Sequence, residues 1–205
     1  WRSLLITYLK KLGSIYKRHY RMSRHFLYLP VALCSFFITF AFVMAKARNK
    51  KDKPVILITN DDGISAPGIR NLVEAVKDLG KIVVVAPDKP QSGMGHAITI
   101  GQPLRLTHSN IFDGIEAYQC TGTPVDCVKL AVDKVLHRKP DLCLSGINHG
   151  ANHSINVIYS GTMSAAVEAA IESIPSIGFS LLDYSIEADF SASRVYARII
   201  VEKML

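Results

Sequence analysis

Two adjacent aspartates are the clearest chemical feature of this 205-residue chain. Asp61 and Asp62 lie in the run Asn60–Gly63, directly after the apolar stretch 55–59. Neighbouring carboxylates repel each other by about 1 to 4 kcal/mol in a polar site, and a divalent cation would relieve that repulsion. Asn, Asp and Gly are also the usual residues of turns, so the run is compatible with a metal site or with a turn alone.

A second polar cluster, Ser92–His96, combines a hydroxyl, two glycines and a histidine. Such a segment lets the backbone approach a ligand closely, and it is equally compatible with a flexible loop. His96 could donate a hydrogen bond to a phosphate oxygen or to a leaving group. For His149 and His153, packing in a loop is the simpler interpretation.

The third cluster runs from Ser145 to Asn152 and continues into Tyr159–Thr162, where a helix is predicted to begin. Free N–H groups and the helix dipole make such a terminus an anion site, and the hydroxyls of Ser160 and Thr162 add donors. Ser and Thr also cap helices that bind no anion, so the capping interpretation holds in either case.

The elements around these clusters alternate between buried strands and amphipathic helices. Strands are predicted at 55–59, 82–86, 142–145 and 176–180, with an inserted antiparallel hairpin at 104–108 and 116–121. Helices are predicted at 67–79, 124–136, 162–174 and 194–205. This order predicts an α/β fold, a Rossmann-like three-layer sandwich with a mostly parallel central sheet.

The three clusters should meet at one edge of that sheet, because open α/β sheets bind ligands beyond the carboxyl ends of their strands. Paired carboxylates for a cation, beside a hydroxyl-rich helix start for an anion, are the arrangement of metal-assisted phosphoryl transfer to water. Oxygen ligands without a Cys or His cage favour Mg²⁺ or Mn²⁺ over Zn²⁺.

The formal net charge of +7 is unevenly distributed along the chain. Residues 1–53 contain half of the 24 Lys and Arg residues but a single acid, Asp52, so this leader carries +11 and residues 54–205 carry −4. A mildly acidic domain has no basic stripe for a phosphate backbone, which argues against a nucleic-acid polymer as partner. The four cysteines form no C-x-x-C pair and are predicted to be buried free thiols.

The leader contains an uncharged, mostly apolar stretch of membrane-spanning length, residues 26–45, with basic residues on both sides. Three interpretations are open: a membrane anchor, a signal peptide cut near Ala45–Ala47, or a segment upstream of a translation start at Met44. We prefer the third, because Met44 begins a polar approach to the first strand of the domain. It predicts a cytoplasmic protein, whereas the first predicts a membrane-anchored one.

Residues 54–205 resemble the SurE survival-protein family at several motifs in the family's order. The motifs are Ile58–Ile69, Val85–Asp88 with Gln91–Gly93, Gly122–Cys127, and Ser145–Asn148 followed by Tyr159–Thr162. The resemblance implies a divalent-metal 5′-nucleotidase, a phosphoric monoester hydrolase that acts on nucleoside 5′- and 3′-monophosphates. It also implies a homodimer or homotetramer, and a carboxy-terminal portion of the domain beyond Leu205.

Roles for individual residues follow from the same resemblance. The ligands of one divalent ion per site would be Asp61, Asp62, Ser92 and Asn148. The residues lining the substrate phosphate would be Asn60, Asn152, Ser160, Gly161 and Thr162. Asp61 and Asp62 would be the catalytic pair, and Asp61 is the first candidate for the general base because it sits beside the metal.

One departure from the family pattern is Ser154, which stands where the family often has a glycine. Serine should be tolerated there if its backbone is not left-handed, so the departure concerns the shape of the loop more than metal binding. Two other functions share the same site: a broad-specificity phosphatase or exopolyphosphatase, and a non-catalytic nucleotide-binding module. Against the module, strand 55–59 ends in Asn-Asp-Asp-Gly and not in G-x-G-x-x-G.

Overall fold

The computed structural model describes residues 36–41, 53–185 and 187–205. Apart from residues 36–41 and Lys53, the leader lies outside this part of the chain. Of the candidate span 26–45, the structure describes only residues 36–41, which form a strand. The span as a membrane anchor, the start at Met44 and the cytoplasmic location that follows from it stay predictions. Within the described ranges, no helix is both long enough and apolar enough to cross a bilayer.

The described residues form one seven-stranded sheet. Its strands are β1 Phe36–Ala41, β2 Val55–Thr59, β3 Lys81–Pro87, β4 Leu106–His108, β5 Glu116–Cys120, β6 Leu142–His149 and β7 Ser176–Leu181. Their order in the sheet is β1-β7-β6-β2-β3-β5-β4. The five inner strands are mutually parallel, and β1 and β4 pair antiparallel at the two edges. The mostly parallel sheet predicted from the sequence is confirmed.

Helices pack on both faces of the sheet, which gives three layers. Their bounds are α1 Pro67–Val76, α2 Pro124–Leu130, the single turn α3 Asn156–Tyr159, α4 Gly161–Ile171 and α5 Ser191–Met204. A π-helical turn, Ala131–Leu136, extends α2. α1 packs against α5, and α2 packs against α4.

Successive residues of the central strand β2 divide between two apolar cores. Ile56 and Ile58 pack with α1 and α5, whereas Leu57 packs with α2 and α4. All three side chains are fully buried, because side chains alternate between the faces of a strand and both faces are covered here. This burial is the reason for the uninterrupted apolar run at 55–59.

Local signals also start the helices where expected. Pro67 and Pro124 occupy the first turns of α1 and α2. Thr123 caps α2 in a capping box: its hydroxyl accepts from the N–H of Asp126, and the Asp126 carboxylate accepts from the N–H of Thr123. α1 ends at Val76, three residues before the predicted end.

Strand β6 is longer than predicted. It was expected to end at Ser145 and to give way to a loop, but it continues to His149. Its pairing with β7 is irregular after Ser145 and resumes at Asn148, opposite Ser180. Polar residues at 145–149 remain in a strand because β7 supplies hydrogen-bond partners for their backbone. Asn148 is therefore held by the sheet and not by a mobile loop.

The carboxyl ends of β2 and β6 form the topological switch point of the sheet. After β2 the chain forms β3, β4 and β5, which all lie on one side of β2 in the sheet. It then forms β6, which lies on the other side of β2. The segment after β2 leads to α1 in one helical layer, and the segment after β6 leads to α4 in the opposite layer. The two segments diverge, and a crevice at such a point is where open α/β sheets bind ligands.

The cysteines in the described part of the chain are free and buried, as predicted: Cys120, Cys127 and Cys143. Burial raises the pKa of the Cys143 thiol to about 12, so this side chain behaves as a small apolar residue. Cys34 lies outside the described residues.

Candidate active site

The structure brings segments of all three polar clusters to the carboxyl end of β2. Thr59, the last residue of β2, pairs with Ser145 of β6. The N–H of Gln91 donates to the carbonyl of Asp61 at 2.7 Å, which places the second cluster against the first. The N–H of His149 donates to Oδ2 of Asp62 at 3.2 Å, which places the third cluster against it as well.

Asp61 is the buried member of the acidic pair, with only 4% of its surface exposed. The hydroxyl of Thr162 donates to its Oδ1 at 2.5 Å, and the backbone N–H of Thr162 also donates to its carboxylate. Burial raises the pKa of Asp61 to about 6; the hydrogen bonds from Thr162 oppose this rise, and the neighbouring Asp62 adds to it. A carboxyl group with this pKa changes its charge close to neutral pH.

Asp62 is half-buried and more open to solvent than Asp61. Burial raises its pKa as well, while the hydrogen bond from the backbone of His149 opposes the rise. In both acids the rise in pKa comes mainly from burial, which disfavours the charged carboxylate; a nearby positive charge would favour it. A bound cation would supply that charge.

The side-chain amide of Asn148 has a defined orientation. Its Nδ2 donates to the carbonyls of His149 at 2.9 Å and Gly150 at 3.1 Å. Both contacts use the donor end of the amide, so Oδ1 is the end that can ligate a cation. The geometry is compatible with the predicted role of Asn148 as a metal ligand.

Three buried polar atoms have no hydrogen-bond partner within the described ranges, and they lie at the end of β2 and at the position of β6 that pairs with it: Oγ1 of Thr59, Oδ1 of Asn60 and Oγ of Ser145. Buried polar atoms are nearly always paired, so such a group at one place indicates a missing partner, such as water or an ion. Asn60 is fully buried, and its Nδ2 donates to the carbonyl of Gly63 at 2.9 Å. The amide of Asn60 thus shapes the turn that presents Asp61 and Asp62.

The predicted phosphate residues lie at the start of α4 and beside β7. Ser160 caps the helix, since its Oγ accepts from the N–H of Met163 at 3.0 Å. Asn152 is buried, and its Nδ2 donates to Oγ of Ser180 at 2.8 Å. Each of these side chains is fixed by a protein partner, which restrains the site before any ligand enters.

Gly161 lets the start of α4 approach the acidic pair. A Cβ atom at this position would lie 2.7 Å from Cβ of Asp61 and 3.0 Å from its Oδ2. Any side chain here would therefore displace either the helix or the carboxylate. The N-terminus of α4 and Asp61 are in direct contact only because position 161 has no side chain.

Ser92 lies in an exposed segment that crosses from the end of β2 to the start of α4. The segment is fixed at one side by the bond from Gln91 to Asp61. On the other side, the N–H of Gly95 donates to the carbonyl of Tyr159 at 3.1 Å. The backbone thus places Ser92 next to the acidic pair, while its role as a metal ligand stays a prediction.

Glu168 is the residue near this site that sequence reasoning missed. Its side chain is only 6% exposed, and it contacts Nε2 of His96 and Nζ of Lys129, each at 2.7 Å. His96, for which a donor role toward phosphate was considered, is thus paired with a carboxylate. A lone acid among Ala165, Ala166 and Ala169, on the buried face of α4, was the available signal.

No group of three His, Cys, Asp or Glu residues is placed to share a metal ion in the ranges that the structure describes. The predicted metal site would not form such a group, because it combines two carboxylates with a hydroxyl and an amide oxygen. The oxygen atoms of Asp61, Asp62 and Asn148 and the unpaired oxygen atoms beside them suit a hard cation such as Mg²⁺ or Mn²⁺.

Comparison with known proteins gives consistent matches. The family model described as Survival protein SurE matches residues 56–205. A 5′-nucleotidase SurE of Christiangramia forsetii is 64% identical over 159 residues, which are 77% of this chain and 61% of that protein. A 5′-nucleotidase SurE of Bacteroides thetaiotaomicron is 51% identical over 153 residues, 75% of this chain and 59% of that protein.

A solved structure shares the fold. The crystal structure of the SurE protein from Aquifex aeolicus superposes with a TM-score of 0.66 at 44% identity, and it covers 73% of this chain and 59% of that one. The chain spans about 60% of the length of the curated relatives that it matches. The match to the family model covers well over half of the chain. The chain therefore belongs to the SurE survival-protein family.

Proposed function

We propose that the complete protein is a metal-dependent nucleotidase that releases phosphate from nucleoside 5′-monophosphates, and also from 3′-monophosphates. The names of the relatives support a 5′-nucleotidase. The geometric support is one contact: the carboxylate of Asp61, next to a second acid, accepts hydrogen bonds from the start of α4. This contact supports a proposed cation site and a proposed anion site next to each other.

A single Mg²⁺ or Mn²⁺ ion is the proposed cofactor, with Asp61, Asp62, Ser92 and Asn148 as ligands. Bound there, the cation would supply the positive charge that lets a phosphate approach two carboxylates. Without it, an anion at the start of α4 would lie beside Asp61 and be repelled. The unpaired oxygen of Asn60 and the two acids with raised pKa values support this proposal.

The protein's own groups would position the substrate and accept a proton. Asn60, Asn152, Ser160, Gly161 and Thr162 are proposed to line the phosphate. Asp61 is the proposed general base, because its carboxylate lies beside the proposed cation and at the start of α4. Thr162 holds its carboxylate in one orientation through the hydroxyl and the N–H.

The decisive experiment is phosphate release by the complete protein from AMP, GMP, 3′-AMP and tripolyphosphate, with Mg²⁺ or Mn²⁺ and with a chelator. Release from the nucleotides that stops with the chelator is the expected result. Preferred turnover of tripolyphosphate would support a broad phosphatase or exopolyphosphatase instead. Nucleotide binding without any turnover would support a non-catalytic module.

Three variants test the assignment of residues. Asp61→Asn and Asp62→Asn should each abolish metal-dependent phosphate release while the fold survives, and wild-type turnover in either would refute the assignment. Ser92→Ala should weaken metal binding by about tenfold or less, because a neutral hydroxyl contributes less than a carboxylate. A homodimer or homotetramer of the complete protein is also proposed, and its mass in solution would test that.

A further inference from the structure

A buried carboxylate connects the Ser92 segment to helix α4. Glu168 lies on the inner face of α4, and its Oε2 is 2.7 Å from Nε2 of His96, four residues beyond Ser92 in the chain. Its Oε1 accepts from Nζ of Lys129, at the end of α2, also at 2.7 Å. One carboxylate thus connects three separate elements: α4, α2 and the segment after β3.

The burial of Glu168 would be costly without these partners. Burial alone would raise its pKa, but the hydrogen bonds from Lys129 and His96 outweigh that effect, and the net pKa is lowered. Glu168 is therefore held as a charged acceptor with a partner at each oxygen. A buried charge whose partners come from different elements fixes the position of those elements relative to one another.

The segment that Glu168 restrains is the one that carries Ser92. Four of its residues between Gln91 and Thr99 also bond to other elements. These bonds are Gln91 N–H to Asp61 O, Gly95 N–H to Tyr159 O, Ala97 O to the Thr123 hydroxyl, and the Thr99 hydroxyl to Asp126. The bond from His96 to Glu168 differs from these contacts in its partner. That partner is a side chain of α4, the helix that also provides Thr162.

We propose that Glu168 and His96 are positioning residues that hold the Ser92 segment against the acidic pair. Glu168 follows Thr162 by six residues, roughly 9 Å along the helix axis, so it acts through the segment and not on the substrate. Helix α4 then sets two parts of the site at once. Its first turn orients Asp61, and its inner face positions the segment that brings Ser92.

The functional consequence rests on the proposed metal-dependent activity, whereas the structural effect does not, and the test measures both. The complete protein is prepared as wild type, His96→Ala, His96→Gln and Lys129→Met. Glutamine can place an amide N–H where His96 has Nε2, so it should restore the bond to Glu168. Lys129→Met is the matched control, because it removes the other partner of the same carboxylate without touching the Ser92 segment.

The first measurement is amide hydrogen exchange in the metal-free protein. In His96→Ala, the amides of Gln91 and Gly95 should exchange about tenfold faster, because the segment loses one of its attachments. They should return toward the wild-type rate in His96→Gln and stay unchanged in Lys129→Met. Unchanged exchange in His96→Ala, or an equal increase in Lys129→Met, would overturn the proposal.

The second measurement is the affinity for Mn²⁺ by calorimetry, with KM and kcat for AMP. His96→Ala should weaken Mn²⁺ binding by about tenfold, which is the effect expected when a group that orients a metal ligand is lost. His96→Gln should weaken it by less, and Lys129→Met should leave it unchanged. Wild-type Mn²⁺ affinity in His96→Ala would overturn the positioning role. If the wild type itself binds no Mn²⁺, the proposed function fails, and the exchange rates still decide whether Glu168 holds the segment.

Discussion

The hydroxyl of Thr162 and the carboxylate of Asp61 form a 2.5 Å hydrogen bond between residues that are 101 positions apart. Thr162 is fully buried and Asp61 is almost so. The bond joins the start of α4 to the end of the central strand β2. It therefore couples the orientation of the Asp61 carboxylate, the proposed base, to the packing of α4 on the sheet.

Thr162→Val should destabilise the protein by about 1 to 3 kcal/mol, because it keeps the volume of the side chain but removes the hydroxyl donor of a buried carboxylate, leaving the backbone N–H of residue 162 as the donor from α4. Urea unfolding of the metal-free protein at pH 8 measures the loss. Thr162→Ser retains the hydroxyl and should recover most of it. A Thr162→Val protein as stable as the wild type would show that the bond contributes nothing.

Asp61→Asn should change how the stability of the metal-free protein depends on pH. Since the pKa of Asp61 is raised from 3.8 to about 6 in the folded state, its protonated form is favoured there. This contribution to stability is fully present below pH 3.8 and is lost as the pH rises through about 6; the total is up to about 3 kcal/mol. The wild type should therefore lose stability over that interval relative to Asp61→Asn.

Urea unfolding in the presence of a chelator, at several pH values from 3.5 to 8, measures this difference. Asp78, whose pKa is lowered to about 2 by its hydrogen bond to Arg198, provides the control. Asp78→Asn should give a curve parallel to that of the wild type above about pH 5, because Asp78 is charged there in both the folded and the unfolded protein. Parallel curves for the wild type and Asp61→Asn would contradict the raised pKa.

Gly161→Ala should reduce phosphate release at least about tenfold, because the added Cβ would lie 2.7 Å from Cβ of Asp61 and displacements of about 1 Å can cost a hundredfold in rate. The folded state should persist, as judged by circular dichroism. Gly101→Ala is the matched control, since a Cβ there meets no atom within 4 Å. Equal activities of the two variants would argue against the close approach of α4 to Asp61.

Ser154→Gly should stabilise the protein. From the sequence, serine at position 154 was expected to be tolerated if its backbone is not left-handed; its φ is +57°, so the backbone is left-handed. This conformation destabilises the folded state by about 1 to 2 kcal/mol for a non-glycine residue, and glycine would remove that cost. The greater freedom of glycine in the unfolded chain offsets part of the stability gained. We expect a net increase of about 1 kcal/mol or less in the free energy of unfolding, measured with urea. A loss of stability would mean that the Ser154 side chain makes a compensating contact.

Sequence reasoning was most successful where one segment contains the whole signal. The run Val55–Thr59 is apolar because both faces of β2 are covered, and Thr123 and Pro124 start α2 through local capping. The continuation of β6 through Asn148 was missed because polar residues there resemble a loop. Only the pairing with β7, more than thirty residues later in the chain, keeps them in a strand.

In the candidate site, too, features within one segment were predicted, whereas contacts between distant segments were not. The acids and the helix start were visible as motifs, whereas the contact from His96 to Glu168 joins residues 72 positions apart. No periodicity within either segment relates them. The turn-shaping contact of Asn60 with Gly63 was likewise hidden, since an amide can serve a ligand or its own backbone with the same sequence.

The switch point at the ends of β2 and β6 has a mechanical consequence. Asp61 and Asp62 lead into the layer of α1, whereas Asn148 leads into the layer of α4. An ion shared by these residues would act as a cross-link between the two halves of the sandwich. At a concentration one hundred times its Kd, it would oppose unfolding by about 2.7 kcal/mol, so metal supply would affect the stability of the fold as well as its chemistry.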